Sequence, residues 1–188
     1  MNKRGLDLLA ETGAVVRLRR LRRWRGIALA GVLSVGALAL PPALHPMPRL
    51  IWNASASAPI GLYWANPSGA IRRGDLVLAT PPDAAQRLAA ERGYLPVGVP
   101  LVKRVAAITG DLVCVDGGEV RLAGHRVART LAADREDRLL RSWDECRSLR
   151  DGEVFLLMAE VPASFDSRYF GPIEASQIIG RLVPLWTR

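Results

Sequence analysis

Two serines in one short segment are residues that could carry out covalent catalysis without a cofactor. Ser55 and Ser57 lie two residues apart in NASASAPIGLY, residues 53–63, so in an extended segment their side chains share a face. One hydroxyl could attack a carbonyl while the other, or a backbone N–H, donates to the oxyanion that forms. Pro59 and Gly61 would fix and sharpen the backbone there. Taken alone, the same composition is also typical of a linker.

Lysine is rare in this sequence, which makes its position informative. Arginine occurs 24 times and lysine twice, at Lys3 and Lys103. Lys103 lies in PLVKRVAAI, a strand pattern with apolar neighbours on both sides. Burial there could lower the lysine pKa by several units and yield a neutral base for a serine, whereas a guanidinium keeps its proton. The alternative is an edge-strand lysine whose ammonium reaches water.

A third stretch, SFDSRYFGPI, spans residues 164–173 and places two opposite charges two residues apart. Asp166 and Arg168 flank Ser167, so their side chains could meet on one side of a turn and brace a neighbouring strand. The alternative is a surface ion pair, which contributes little to stability.

The elements that must position these residues are mainly β-strands. Short β-rich runs alternate with turn residues, and Asp116-Gly117-Gly118 predicts a hairpin. One helix is predicted at Asp83–Arg92, and Leu131–Arg150 is interpreted as a small insertion with some helix. The fold class expected is therefore mainly antiparallel β. The predicted strands are Asp75–Thr80, Val99–Ile108, Asp111–Val115, Glu119–Ala123, Glu153–Val161 and the run SQIIGRLVPLW near the end.

The N-terminal part of the sequence has a membrane pattern. Residues 1–25 form a basic arm, 26–44 an apolar segment expected to be a transmembrane anchor, and 45–49 a Pro-rich connector to the domain at 50–188. A cleaved signal peptide remains the alternative for the apolar segment. Both alternatives place the domain on the exported side. Most of the net charge of +8 lies in the arm, so a nucleic-acid partner is not expected.

Cys114 and Cys146 are the only cysteines, and an exported domain would leave them free to form a disulfide or to remain two buried thiols. With no CxxC pair and only two histidines, the sequence predicts no metal site. It implies no organic cofactor either.

In this order the motifs resemble the membrane-bound type I signal peptidases, which use a Ser-Lys dyad. The resemblance rests on the serine segment, on GDLVLA at 74–79, on VKRVAAITGD at 102–111 and on FDSRYFG at 165–171. It implies a signal-peptidase-like antiparallel β catalytic domain after an N-terminal transmembrane helix. It also implies a shallow apolar groove for an extended substrate with small side chains before the cut.

The serine segment is more similar to the TraF-type conjugal-transfer branch of that family. The secretory enzymes place the nucleophile three residues before the proline, whereas Ser57 lies two before it. The TraF-type pattern is matched at every named place, by Asn53, Ser55, Ser57, Pro59, Gly61 and Tyr63. The resemblance implies Ser57 as nucleophile, Lys103 as general base and Ser55 as an oxyanion-hole donor. Asp166, with Ser167 and Arg168 beside it, would be a third catalytic element or a support.

The function expected is that of a serine endopeptidase in a bacterial inner membrane, single-pass, with its catalytic domain in the periplasm. By the resemblance it would process an exported pilin-type precursor for conjugation or type IV secretion, with or without cyclisation of the product. One alternative is a general leader peptidase that acts on many exported proteins. Another is a catalytically silent assembly factor of the same secretion system.

Overall fold

The computed structural model describes residues 22–37, 49–67 and 69–188. The chain divides into two compact units, Met1–Pro46 and Met47–Arg188. In the first unit residues 22–37 form a helix, α1. Across the described ranges, no helix combines the length and the apolar character needed to cross a membrane. Residues 1–21 of the predicted arm, 38–44 of the predicted anchor and 45–48 of the predicted connector lie outside the described residues.

The second unit consists mainly of short β-strands, with two α-helices and one turn of 3-10 helix at Ala175–Gln177 in its described residues. The helices are α2 (Asp83–Glu91) and α3 (Ser167–Phe170). The strands are β1 (Leu50–Asn53), β2 (Gly61–Asn66), β3 (Leu76–Ala79), β4 (Leu101–Ile108), β5 (Leu112–Asp116), β6 (Glu119–Leu122), β7 (His125–Arg129), β8 (Cys146–Ser148), β9 (Glu153–Leu156), β10 (Ile173–Glu174) and β11 (Ile178–Thr187).

Seven of these strands form one sheet in the order β1-β2-β11-β3-β4-β9-β10. Each pair of neighbours is antiparallel, which confirms the predicted fold class. Strand β4, which carries Lys103, lies between β3 and β9 in the sheet interior, where its backbone is paired on both sides. Strands β1 and β2 are joined by residues 54–60, the segment that contains both candidate serines.

The side chains of β2 alternate between the core and the opposite face, as a half-buried strand requires. Tyr63 and Ala65 point inward and are 1% and 2% exposed. They belong to an apolar cluster that includes Ala58, the residue after Ser57, and Val102, the residue before Lys103. This cluster therefore packs beneath both candidate catalytic segments. Its other buried members are Leu78, Met158 and Leu182.

The remaining four strands form a second sheet in the order β7-β6-β5-β8. The predicted hairpin joins β5 to β6, with Gly117 and Gly118 at φ values of 55° and 78°, a region that glycine enters at little cost. Cys114 on β5 and Cys146 on β8 are register partners and are joined in a disulfide. This sheet therefore has a covalent link between two neighbouring strands.

Several predicted elements agree with the structure, with shifted ends. The helix predicted at Asp83–Arg92 is α2, and Arg92 is its C-terminal cap. The strand predicted at Glu153–Val161 stops at Leu156. The N–H of Leu157 still donates to the Arg104 carbonyl of β4 at 2.9 Å, but the groups after it leave the ladder: the N–H of Met158 donates to Asp166 Oδ2 at 3.1 Å, and that of Val161 turns back to the Met158 carbonyl.

The helix expected within Leu131–Arg150 is wrong. The segment is irregular apart from β8 and one isolated bridge. Asp134 Oδ1 accepts the backbone N–H groups of Glu136 and Arg138 at 2.9 and 3.0 Å, and such side-chain bonds hold a turn in place of a helix. Five of the strands, namely β1, β2, β7, β8 and β10, were not predicted from the sequence. Strands β1 and β2 flank the serine motif, and the other three are short or polar.

Candidate active site

Asn53 shapes the loop that carries the two serines. Its side chain is buried at the end of β1, and its amide nitrogen lies within 3.0–3.1 Å of the carbonyl oxygens of Ser55, Ala58 and Pro59. Its amide oxygen accepts the backbone N–H of Ser55 at 3.1 Å. A short polar side chain that satisfies several backbone groups fixes a turn that has no strand partner. The loop is therefore held from inside by one residue of the motif.

Two further motif residues hold the far side of this loop against β2 and β11. The Tyr63 hydroxyl donates to the Pro59 carbonyl at 2.6 Å. Gly61 has a φ of 156°, and a Cβ there would overlap the Trp186 carbonyl and lie 2.8 Å from the Thr187 Cα. Only glycine allows this close approach of backbones. The motif residues Asn53, Pro59, Gly61 and Tyr63 thus shape the loop, whereas the two serines are available for chemistry.

The structure brings Ser55 and Ser57 together in that loop. Their Oγ atoms are 3.0 Å apart, and the backbone N–H of Ser57 donates to Ser55 Oγ at 3.3 Å. Ser57 is partly buried and Ser55 is exposed. A substrate carbonyl that approaches Ser57 would therefore meet the Ser55 hydroxyl at short range.

Lys103 comes from β4 and reaches Ser57 across the core. Its ammonium Nζ is 2.9 Å from Ser57 Oγ, and the residue is 2% exposed. Burial lowers the pKa of Lys103 to about 8, with smaller opposing influences from Asp166, which raises it, and Arg168, which lowers it. At pH 7 such a lysine would be neutral in about one molecule in ten, compared with about one in a few thousand in water. The alternative of a lysine that reaches water does not fit this burial.

A third hydroxyl at the site was missed by the sequence interpretation. Ser164 Oγ accepts a hydrogen bond from Lys103 Nζ at 2.9 Å, and Ser164 is 1% exposed. Two hydroxyls therefore hold the ammonium in one orientation. The sequence feature that could have pointed to Ser164 is its position at the start of SFDSRYFGPI, two residues before Asp166. Its partner could not be inferred, because the two residues are 61 positions apart in sequence.

Asp166 and Arg168 form a fully buried ion pair at the start of α3. Arg168 Nε and Nη2 donate to the two Asp166 oxygens at 2.7 and 3.0 Å, a bidentate geometry, and both side chains are 0% exposed. The same guanidinium also donates to the carbonyls of Met158 and Arg129 at 2.9 and 2.8 Å. The surface ion pair considered from the sequence is thus excluded. The hydrogen bonds of the Asp166 carboxylate go to Arg168 and Met158, and none within the described chain goes to Lys103.

Ser167 ties the same segment to the seven-stranded sheet. Its Oγ accepts the backbone N–H of Leu156 at 3.0 Å, at the end of β9. This bond fixes the start of α3 to the end of β9. Among the described residues, every buried side-chain nitrogen or oxygen has a hydrogen-bond partner, and no group of His, Cys, Asp or Glu is placed as metal ligands would be.

The arrangement as a whole can activate a hydroxyl. A partly exposed serine lies within hydrogen-bond distance of a buried lysine whose pKa is close to neutral pH, and a second hydroxyl is near the nucleophile. A nucleophile, a base and a group that orients the base are the components of acyl-transfer catalysis. The positions of Ser57, Lys103 and Ser164 have the geometry that these three roles would require.

Comparison with known proteins shows the family of this chain. The family described as signal peptidase, peptidase S26, matches residues 21–186. The chain therefore belongs to the S26 signal peptidase family. A solved structure of a signal peptidase I from Enterococcus faecalis is similar over 61% of this chain and 98% of its own, with a TM-score of 0.38 and 18% identity.

Within the family the resemblance to TraF-type proteins is confirmed. A plasmid transfer protein TraF of Escherichia coli is 36% identical over 173 residues, which cover 86% of this chain and 94% of that protein. A second TraF of Escherichia coli is 34% identical over 72% of this chain and 81% of its own length. A probable conjugal transfer protein TraF of Sinorhizobium fredii is 35% identical over 68% and 72%.

Proposed function

We propose that this chain is a membrane-anchored serine endopeptidase that uses a Ser57–Lys103 dyad to process an exported pilin-type precursor. The observation that carries the proposal is the 2.9 Å contact between Lys103 Nζ and Ser57 Oγ inside a site that lowers the lysine pKa. Membership of the S26 family makes a serine peptidase the expected activity.

In the proposed reaction the dyad transfers an acyl group. Neutral Lys103 takes the Ser57 proton as Ser57 Oγ attacks the scissile carbonyl, and it gives that proton to the leaving amine. Ser164, through its hydrogen bond to Nζ, keeps the lysine directed at Ser57. The acyl-enzyme is then released by water, which gives a linear product, or by an amine of the substrate itself, which gives a cyclic one.

Ser55 is proposed to donate to the oxyanion. Its hydroxyl is 3.0 Å from the Ser57 oxygen, so a small rotation would aim it at a carbonyl bound there. Donors placed where negative charge develops contribute strongly to such reactions. Asp166 is proposed as a positioning residue, because its carboxylate holds Arg168 and the N–H of Met158 beside the segment that carries Ser164.

Apolar side chains before the cut are supported by the surroundings of Ser57. The next residue, Ala58, is 5% exposed and packs in a cluster with Val102 and Leu78, and Ile51 lies against it. An apolar surface beside the nucleophile would favour an apolar substrate side chain there, and the resemblance to signal peptidases is the basis for proposing that this side chain is small. An extended substrate could also pair with a strand edge of the sheet.

A location at the membrane is supported by an exposed apolar face of β1, β2 and β11. Register pairs align Leu50 with Trp64 and Trp64 with Val183 across these strands, and Trp52 stacks on Trp186 with ring centroids 5.9 Å apart. These five residues are 42–57% exposed. Tryptophan is favoured at the boundary between lipid and water. The proposed location is the periplasmic face of a bacterial inner membrane, with the basic N-terminal arm in the cytoplasm.

A role in conjugation is proposed from the relatives. Their names describe plasmid or conjugal transfer proteins, and the match extends over most of each chain. A pilin-type subunit of a transfer apparatus is accordingly the substrate proposed for this chain.

Mass spectrometry of a pilin precursor co-expressed with the enzyme tests the proposal. The wild-type chain should shorten the precursor, and Ser57→Ala should leave it intact, while Ser148→Ala, at an exposed serine on β8, should behave as wild type. A product lighter than the linear form by one water marks cyclisation. Unchanged maturation with Ser57→Ala would favour the silent assembly factor instead.

A general leader peptidase is the second candidate, because the family that matches this chain is described as signal peptidase. Complementation separates the two. A dedicated pilin peptidase should fail to support growth of a bacterial strain depleted of its main signal peptidase, whereas a general enzyme should restore processing of many exported proteins.

A further inference from the structure

A cavity of about 390 Å³ lies beside the serine loop, and the proposed dyad does not use it. Pro59 forms part of its wall. Since consecutive Cα atoms are about 3.8 Å apart, the Cα of Pro59 is within about 7.6 Å of that of Ser57. An extended peptide advances about 3.3 Å per residue, so a substrate on Ser57 could reach this wall about two residues from the scissile bond.

The charge on the cavity wall is predominantly positive. Arg104 and Arg181 line it together with one carboxylate, that of Asp75. Arg181 Nη1 is 3.9 Å from Asp75 Oδ1, which is too long for a hydrogen bond, and its side chain is 47% exposed. Arg104 donates through Nη1 to the Gly74 carbonyl at 2.8 Å. The wall thus contains one carboxylate and two guanidiniums, and most guanidinium N–H groups have no protein acceptor among these contacts.

Much of the rest of the wall is apolar and continuous with the packing under the nucleophile, although Tyr63 and Thr187 also contribute to it. Leu76 and Leu182 line the cavity; Leu182 belongs to the same buried cluster as Ala58, and Leu76 packs against that cluster. Leu76 is the register partner of Arg104 across β3 and β4, so the apolar side chain and the cation lie side by side on one face. Apolar walls with a few convergent polar groups are typical of binding sites.

We propose that this cavity is a subsite for a carboxylate of the substrate, about two residues from the scissile bond, with Arg181 and Arg104 as its cationic wall. The inference deepens the proposed peptidase function and rests on it. Arginine is suited to this task, because its planar fork matches the two oxygens of a carboxylate and it stays charged at any physiological pH. The carboxylate could belong to an acidic side chain or to the C-terminus of the chain being cut.

Peptide binding to the full-length Ser57→Ala protein tests the subsite without requiring turnover. Three short peptides of otherwise small residues are compared by fluorescence anisotropy: one with Glu and an amidated C-terminus, one with Gln and a free C-terminal carboxylate, and a neutral one with Gln and an amide. At least one acidic peptide should bind about tenfold more tightly than the neutral one. The acidic peptide that gains affinity identifies the source of the carboxylate.

Arg181→Glu in the same background should remove or invert that preference. Arg87→Glu on α2, an exposed site outside the cavity, should leave it unchanged. Equal binding of all three peptides, or the same preference in both variants, would overturn the subsite. Cleavage by the wild-type chain is measured separately. If the wild-type chain cleaves peptides without preferring the acidic ones, the subsite is rejected and the peptidase function is kept. If acidic peptides bind more tightly but none is cleaved, the subsite is kept and the peptidase function is rejected.

Discussion

Two clusters of opposite charges in this domain differ in burial, and the difference shows what makes one of them part of a site. On the four-stranded sheet, Glu119 lies within 2.5–3.8 Å of three arginines whose side chains are 43–69% exposed. At the start of α3, Asp166 and Arg168 are 0% exposed, and their hydrogen bonds hold the segment that carries Ser164. Water screens the first cluster, whereas removal of one partner from the second would leave a buried charge alone.

The largest expected effect comes from breaking the buried pair. Arg168→Ala should lower the free energy of unfolding by about 3–5 kcal/mol, because Asp166 would lose its cation. Arg126→Ala, at an exposed partner of Glu119, should change it by less than about 0.5 kcal/mol. Denaturant unfolding of the two variants measures the contrast. Equal losses would show that burial does not separate the two clusters.

The disulfide of the four-stranded sheet should matter for stability and not for chemistry. Cys114 and Cys146 are separated by 32 residues, and the removal of such a link costs about 3–4 kcal/mol on the chain-entropy model. The double variant Cys114→Ser with Cys146→Ser should therefore unfold at lower denaturant. Its kcat should equal that of the wild type where both are folded. A large loss of kcat in the folded double variant would contradict this division of roles between the two sheets.

Ser164 provides a smaller and more selective test of the buried region. Ser164→Ala removes one of the two hydroxyls that hold Lys103 Nζ, so kcat should fall about tenfold through lost orientation while KM changes little. Ser164→Thr, which keeps a hydroxyl, should recover part of the rate. If kcat is unchanged in the alanine variant, the contact does not orient the base.

How much of the fold and of the candidate site could be predicted from the sequence depends on how far apart in the sequence the interacting residues lie. The strand around Lys103, the Gly117-Gly118 hairpin and α2 follow from local patterns, and the resemblance to known motifs pointed to Ser57. The contact of Ser164 with Lys103 and the burial of Asp166 and Arg168 depend on packing between distant segments, which periodicity does not encode. Helix was wrongly expected around Asp134, because its side-chain hydrogen bonds to backbone N–H groups outweigh weak helical patterning.

The smallest expected effect lies at the loop that presents the serines. Tyr63→Phe removes the 2.6 Å hydrogen bond to the Pro59 carbonyl and should cost about 1 kcal/mol of stability. Activity should fall at the same time, since Pro59 lies two residues from the nucleophile. Thermal unfolding and initial rates measure both. Full stability together with full activity would mean that the loop is held without this bond.

The pH dependence of kcat/KM tests most directly the claim that Lys103 acts as a neutral base. Its buried site lowers the pKa to about 8, so the deprotonated fraction grows as pH rises toward that value. The account predicts that kcat/KM rises about tenfold per pH unit below pH 8 and levels off above it. Lys103→Arg, whose guanidinium keeps its proton, should be folded and inactive at every pH. A flat profile across this range, or activity in the arginine variant, would contradict the Ser57–Lys103 dyad.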